Sequence, residues 1–333
     1  MMEPTLLETV LSAGICFMAF CFGITVGSFL NVCIYRLPKG ESIIKSNSHC
    51  MRCRAPILKR DLIPLASWLI LKGKCRSCGL KISPRYMLVE GLTGLLFALV
   101  FASHNFFIDG LTYPALLCIF IAFMVEIGFE DFDTKEMSVS VLLLLGIFAA
   151  VVRVLCLLFP AVLRSRDIPS LEDSLLGVTA VSVPLLLFGF VITPWFYAAF
   201  ICQDRKRLYK IKKNLKKAEP GKTKALEKEI TLLTEKINNS EPVYGFGMGD
   251  ILLMAAGGLM LGAKAAITAA FAAMLLGALY AVIIIIKRRY STEEISSDFA
   301  FGPFLAAGLI FAVFYGTEIF ELYASSLVLE APF

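Results

Sequence analysis

Long apolar runs alternate with short polar links along most of the chain. The runs at 11–35, 86–103, 112–129, 139–160, 175–201, 264–286 and 301–325 approach the roughly 20 residues that a helix needs to cross the hydrocarbon core of a bilayer. A shorter run at 251–262 is joined tightly to the next near Gly262 and makes an eighth. Two stretches break the alternation. Residues 36–85 are polar and basic, with a short apolar piece at 62–70. Residues 203–242 crowd Lys and Arg into their first half. After Pro220-Gly221, the residues Leu226, Ile230, Leu233 and Ile237 recur at helical spacing, which predicts a basic helical hairpin. That hairpin is either a solvated insertion or a face for anionic headgroups.

Composition agrees with the pattern. The 333 residues are 58% hydrophobic and 18% charged, and mean hydropathy is +0.76. A soluble domain of ordinary composition is excluded. The chain is expected to be an all-α polytopic membrane protein with about eight transmembrane helices and a small cytoplasmic zinc-binding loop domain. Its parts are a first helix at 1–35, the loop domain at 36–85, helices two to five at 86–201, a basic insertion at 202–246 and helices six to eight at 247–333. The net charge of +5 gathers in loops, which points to topology rather than to nucleic-acid binding. The basic stretches 36–85, 203–242 and 287–289 all fall on one face, so the positive-inside rule makes that face cytoplasmic and puts both termini outside. The start, Met1-Met2-Glu3-Pro4, lacks the basic region of a cleaved signal, so the first run is expected to be a retained helix. Within it, Ser28 and Asn31 share a helix face, as packing polar groups or as part of a binding surface.

The chain has 10 cysteines, of which Cys16, Cys21, Cys33, Cys118, Cys156 and Cys202 are scattered in apolar runs. The other four form two pairs, Cys50-Met51-Arg52-Cys53 and Cys75-Arg76-Ser77-Cys78. That spacing is close to a structural tetrathiolate zinc site, and a Lys/Arg-rich cytoplasmic loop disfavours disulfides. Four thiolates leave no open position on Zn²⁺, so such a metal folds the loop and does no chemistry. His49 borders the first pair and His104 lies in an external link; neither is needed as a ligand.

Two acidic positions carry the candidate chemistry. Asp250 ends Gly245-Phe246-Gly247-Met248-Gly249-Asp250, at the lip of an apolar helix. Capping of that helix is the plain alternative. Asp131 lies in the acidic cluster Glu130-Asp131-Phe132-Asp133-Thr134-Lys135-Glu136, which is otherwise an ordinary solvated loop. On the expected topology both aspartates lie at the cytoplasmic membrane edge. Two carboxylates held close do not both ionise cheaply, so one acts as base and the other as acid, which is aspartyl-protease chemistry. Proton transport is the alternative for intramembrane carboxylates, although the inverted repeats common in transporters are not visible.

Four stretches then resemble the bacterial prepilin peptidases, leader peptidase/N-methyltransferases of the GxGD aspartyl protease type. They are Gly27-Ser28-Phe29-Leu30-Asn31-Val32 through Arg36-Leu37-Pro38; Ser48-His49-Cys50 through Cys75-Arg76-Ser77-Cys78-Gly79 and Ile82-Ser83-Pro84-Arg85-Tyr86; Gly247-Met248-Gly249-Asp250; and Phe301-Gly302-Pro303-Phe304-Leu305-Ala306. The resemblance implies a multi-pass enzyme of the bacterial inner membrane. Its substrates are type IV prepilins or type II secretion pseudopilins, cut at the cytoplasmic face and then methylated on the new N-terminus by S-adenosylmethionine. It implies catalytic roles for Asp131 and Asp250, and zinc at Cys50, Cys53, Cys75 and Cys78. The sequence departs from the family in three places. The family pattern D-x-D-x-x-x-L-P-D ends here in Ser138-Val139, which leaves Asp133 or Glu130 as alternatives to Asp131; Leu252 replaces a usual Lys; and the insertion 203–242 is long. A cleavage-only peptidase remains a competing reading, because no Rossmann-type methyl-donor motif is present, and a non-enzymatic scaffold or transporter that keeps the architecture is the other.

Overall fold

The structure is a computed structural model that describes residues 6–44, 48–104, 110–160, 168–215, 223–238, 246–290 and 300–329. Arg164, Arg166, Asp167, Pro220, Gly221 and Gly245 lie outside the described residues. Eleven α-helices are described: α1 (Leu6–Arg36), α2 (Ala66–Ile70), α3 (Arg85–Ser103), α4 (Thr112–Thr134), α5 (Val139–Leu158), α6 (Leu171–Leu187), α7 (Thr193–Leu215), α8 (Thr223–Asn238), α9 (Met248–Leu261), α10 (Ala263–Tyr290) and α11 (Gly302–Leu329). A π-helical turn, Phe188–Ile192, joins α6 to α7 without a break. Pro184 lies a turn earlier and has no N–H for the regular ladder.

Seven helical stretches among the described residues are long and apolar enough to cross a membrane. They correspond to seven of the expected spans, with shifted ends. The first begins at Leu6, and the fifth runs from Leu171 through Lys213, so that Glu172 and Asp173 open a helix rather than fill a link. The expected span at 251–262 is the exception. It forms α9, an apolar helix of 14 residues. At 1.5 Å per residue it is about 21 Å long, short of the roughly 30 Å hydrocarbon core. Gly262, with φ +84°, turns the chain directly from α9 into α10.

The chain divides into two compact units, one of Met1–Val181 with Leu252–Phe333 and one of Ser182–Ile251. In the first, α1 packs on α3 and α11 on both α10 and α4. Lipid gives apolar helices no hydrophobic reason to associate, so close backbone approach has to hold them. Gly23 and Gly27 of α1 supply it. A Cβ at either would come within 2.8 Å of a Cα of α3, that of Gly94 or of Glu90. Phe120, Ile121, Met124, Leu305 and Leu309 fill the core between α4 and α11.

Polar contacts fix both ends of this unit. At one end, Asn31 Nδ2 donates to the Tyr86 carbonyl at 3.0 Å, which ties the end of α1 to the start of α3 and gives this polar residue a packing role. Arg85 pairs with Asp133 at 2.5 Å and so joins α3 to α4. At the other end, buried Arg153 of α5 donates to the Pro169 carbonyl at 3.0 Å, to Ser174 Oγ at 3.4 Å and to the Met260 carbonyl at 3.1 Å. The last of these is an orphan acceptor at the C-terminus of α9. Asp173 Oδ1 accepts from Ala263 N at 3.3 Å, at the N-terminus of α10. A cation and an anion thus hold the two helix ends that meet at Gly262. His104, expected in a solvated link, closes α3 instead, with its Nδ1 2.8 Å from the Val100 carbonyl and its ring edge-on to Tyr113.

In the second unit α7 pairs with α8, as the helical spacing predicts, and Arg207 bonds Glu229 at 2.8 Å. Phe246 packs on Phe188, with ring centroids 6.0 Å apart.

Replacement of Arg153 by Leu leaves three acceptors without their charged donor, and charge-assisted bonds are worth about 1.5–3 kcal/mol each. The variant is expected to unfold in detergent at a clearly lower temperature than wild type, with Arg153→Lys between the two. An unchanged midpoint for Arg153→Leu would refute this role.

Candidate functional site

The loop between α1 and α3 brings the four paired cysteines together. Their sulfurs all lie within 4.8 Å of one another, and Cys50 Sγ is 4.0 Å from Cys78 Sγ. Zn–S bonds of about 2.3 Å in a tetrahedron place sulfurs about 3.8 Å apart, so the set suits a tetrahedral thiophilic ion. Two turns of the same design build it. Cys50 N–H donates to the Ala55 carbonyl and Arg54 N–H to the Cys50 carbonyl; Cys75 N–H donates to the Leu80 carbonyl and Gly79 N–H to the Cys75 carbonyl. Each turn is closed by a single bridge, His49 with Pro56 and Lys74 with Lys81. His49 therefore flanks the site, and the sulfur cluster is complete without it. Both turns need a left-handed residue just after the second cysteine. Gly79 (φ +70°) meets that need without strain, whereas Arg54 (φ 56°) carries a Cβ there.

The backbone N–H groups of Cys53 and Arg52 hold the Cys50 thiol down at about 6. The Leu80 N–H favours the Cys78 thiolate, but desolvation and the three neighbouring sulfurs outweigh it and push Cys78 up to about 11. One preformed thiolate among crowded sulfurs is the arrangement that a cation relieves. Arg76, between the second pair, forms a two-pronged bond to Asp61, 2.7 Å on each arm, which holds the Asp61 carboxyl below its usual range. The apolar piece between the pairs is explained in part. Trp68 packs on Gly73, while Leu62, Ile63, Leu69 and Ile70 stay exposed, as an interfacial segment would. Leu65 N–H donates to Glu90 Oε2 at 2.7 Å, which anchors the loop to α3.

The acidic cluster expected as a loop begins as the last turn of α4, and the carboxylates of Glu130, Asp131 and Asp133 in that turn point to three different partners. Asp133 is the partner of Arg85. Glu130 accepts from Ser138, through the hydroxyl and through the backbone N–H at 3.3 Å. Ser138 is the N-cap of α5, and a proline in its place would have neither donor. Glu130 therefore complements the Ser138 departure noted in the sequence. Asp131 is only 4% exposed. The Gly302 N–H, at the N-terminus of α11, donates to its carboxylate, while Oδ2 has no hydrogen-bond partner. Gly302 lies so close that a Cβ there would come within 2.6 Å of Oδ2. One carboxylate oxygen of Asp131 is thus buried without a hydrogen-bond partner, while Glu130 and Asp133 are both engaged.

Asp250 is buried in the first turn of α9. It is the third residue of that helix rather than its N-cap, and Oδ2 accepts from Gly247 N–H at 3.1 Å. This is the reach-back half of a capping box, so the capping alternative has a geometric basis. Asp131 belongs to the first compact unit and Asp250 to the second. Glu126 was missed by the sequence reading. It is 3% exposed on α4, one turn before Glu130, and neither of its carboxylate oxygens has a hydrogen-bond partner. An acidic residue within the apolar run was the available signal.

Fold and site together define a polytopic membrane protein with a tetrathiolate loop and buried carboxylates at helix ends. Residues 21–104 match the Bacterial Peptidase A24 N-terminal domain. The chain is similar to the "Prepilin leader peptidase/N-methyltransferase" of Bacillus subtilis (strain 168), 29% identical over 91% of this chain and 96% of that one. It is similar to the protein of the same name from Aeromonas salmonicida (strain A449), 29% identical over 93% of this chain and 94% of that one. The Myxococcus xanthus (strain DK1622) protein of that name is 47% identical, over 34% of this chain and 33% of its own length. The chain is thus similar to prepilin leader peptidase/N-methyltransferases over most of its length, and its residues 21–104 match the domain with which such peptidases begin. No solved structure matches it.

The left-handed position at Arg54 gives a direct check on the loop. Arg54→Gly relieves about 1 kcal/mol of backbone strain, and Gly79→Val adds a comparable or larger amount. Competition with a colorimetric chelator is expected to show metal held more tightly in the first variant and several-fold more weakly in the second. The opposite order would contradict the geometry.

Proposed function

We propose that this protein is an aspartyl endopeptidase of the bacterial inner membrane. It removes the leader of type IV prepilins or type II secretion pseudopilins at the cytoplasmic face and then N-methylates the new N-terminal residue. The observation that carries the reading is the state of Asp131: buried, oriented by the Gly302 N–H, and with Oδ2 left open while Glu130 and Asp133 are engaged. The names and near-complete overlap of the Bacillus and Aeromonas relatives support the same reading.

In this reading Asp131 and Asp250 act on one scissile peptide. The ionised carboxylate takes a proton from water as the water oxygen attacks the carbonyl carbon. The protonated one gives its proton to the amide nitrogen as the C–N bond breaks. The Gly247 N–H orients Asp250. The relatives' printed name supports N-methylation of the new N-terminus as a second activity, for which S-adenosylmethionine would supply the methyl group. Zinc is the metal that the four thiolates of Cys50, Cys53, Cys75 and Cys78 suit best, and it would supply cross-linking of the loop. The end of the first unit that carries this loop is also the end with Arg36, Lys39, Arg85 and Lys135, which supports a cytoplasmic face there and external termini.

The test is cleavage of a prepilin by the purified protein in lipid with S-adenosylmethionine, read by intact mass. Asp131→Asn and Asp250→Asn are each expected to lower cleavage by at least about 100-fold, while Asp133→Asn retains it. Loss with Asp133→Asn but not Asp131→Asn would move the working group. A cleaved product without added methyl mass would favour the cleavage-only enzyme, and no cleavage of any pilin would favour the scaffold.

The Glu130–Ser138 contact gives a second check on that site. Ser138→Ala removes one donor and Glu130→Gln weakens the acceptor, so each is expected to lower cleavage several-fold through Asp131 placement. The double variant should cost little more than either single one, because both break one interaction. Independent, additive losses would rule out the coupling.

A further inference from the structure

The basic stretch that follows the fifth span is not a uniformly charged helix. In α7, Arg205, Lys206, Lys210 and Lys213 fall with Cys202 and Tyr209 on one face, at spacings of three and four residues, and together they line a single open groove. Arg207 points elsewhere and is paired with Glu229 of α8. Among the described residues, the four cations of the groove have no carboxylate partner. The only acidic residue of α7, Asp204, is buried. Of the six cations of α7, Arg207 is thus drawn toward α8 and four line the groove, with Lys212 exposed outside both.

The same helix carries Trp195, Phe196 and Phe200, exposed by 65%, 63% and 51%. Large aromatic side chains just before a basic segment mark the level at which a helix leaves the hydrocarbon for the headgroups. Arg205 follows Phe200 by one and a half turns, about 7.5 Å along the axis, and Lys213 by about 20 Å. The headgroup layer is roughly 5–8 Å thick on each side. Arg205 and Lys206 thus fall at phosphate depth, Lys210 at its outer margin and Lys213 beyond it. Tyr209, 71% exposed, lies between them with an amphipathic ring.

We propose that this face of α7 is a binding site for the phosphate groups of anionic membrane lipid, with Arg205 and Lys206 as the primary contacts and Lys210 as an outer one. The occupant is lipid because the groove continues directly from a membrane-crossing helix and begins at headgroup depth. The site anchors the hairpin base to the bilayer surface.

The test is acetylation footprinting with a neutral reagent on the intact protein, in nanodiscs of phosphatidylcholine alone and with phosphatidylglycerol added. Lys228, exposed on α8, is the internal control. Anionic lipid is expected to slow Lys206 several-fold, Lys210 less and Lys213 least, with Lys228 unchanged. The graded protection should vanish near 1 M salt, where the Debye length is about 3 Å. Arg205→Gln, which leaves all the reporter lysines in place, should reduce the protection of Lys206. Equal rates in the two kinds of disc would overturn the proposal. So would protection of Lys206 and Lys213 to the same extent by inorganic polyphosphate in phosphatidylcholine discs, since that outcome marks a soluble polyanion as the ligand.

Discussion

A helix in hydrocarbon has to satisfy every backbone polar group within itself, and it gains nothing from burying one apolar side chain against another. The first compact unit is built around both conditions. Its helices approach closely enough for Gly23 and Gly27 to touch the α3 backbone. Once the apolar surfaces are committed to packing and to lipid, polar chemistry is left to the helix ends, where N–H and C=O groups have no partner in their own helix. That is where the candidate groups occur. Asp131 meets the first N–H of α11, Glu130 holds Ser138 at the start of α5, and Arg153 and Asp173 hold the two ends that meet at Gly262.

Outside the membrane the problem is reversed. The segment between α1 and α3 is too short to bury a core of its own, and such domains usually need a cross-link. Two matching turns bring four sulfurs into one cluster, and Trp68 folds over the backbone just before the second pair. Leu65 then ties the assembly to Glu90, a residue of the membrane helix that packs against Gly27. The cysteine loop is thereby tied to the helix on which α1 packs.

Much of this was legible along the chain, and the reason differs from feature to feature. The spans were visible because hydropathy is a local sum over about twenty residues. The cysteine cluster was visible because each C-x2-C turn is local and occurs twice. Helix α8 was visible from the helical spacing of Leu226, Ile230, Leu233 and Ile237. The working register near Asp131 was not, because Glu130, Asp131 and Asp133 are alike in type and differ only in their partners. Those partners come from Ser138, Gly302 and Arg85, on three other helices or their caps.

The sequence by itself determined that the chain is helical, crosses a membrane many times, carries a loop with four paired cysteines and resembles the prepilin peptidases in its G-x-G-D and paired-cysteine stretches. These are properties of composition and short-range spacing. The tertiary structure decided that Asp131 Oδ2 is buried without a partner, that Glu130 takes both donors of Ser138, that Asp250 reaches back to Gly247 N–H from the third position of its helix, and that Arg207 is drawn to α8 while Arg205 and Lys206 are left on the other face. Each of these is a choice of hydrogen-bond or ion-pair partner, and most of the partners are distant in sequence, so only the packed helices bring them within reach.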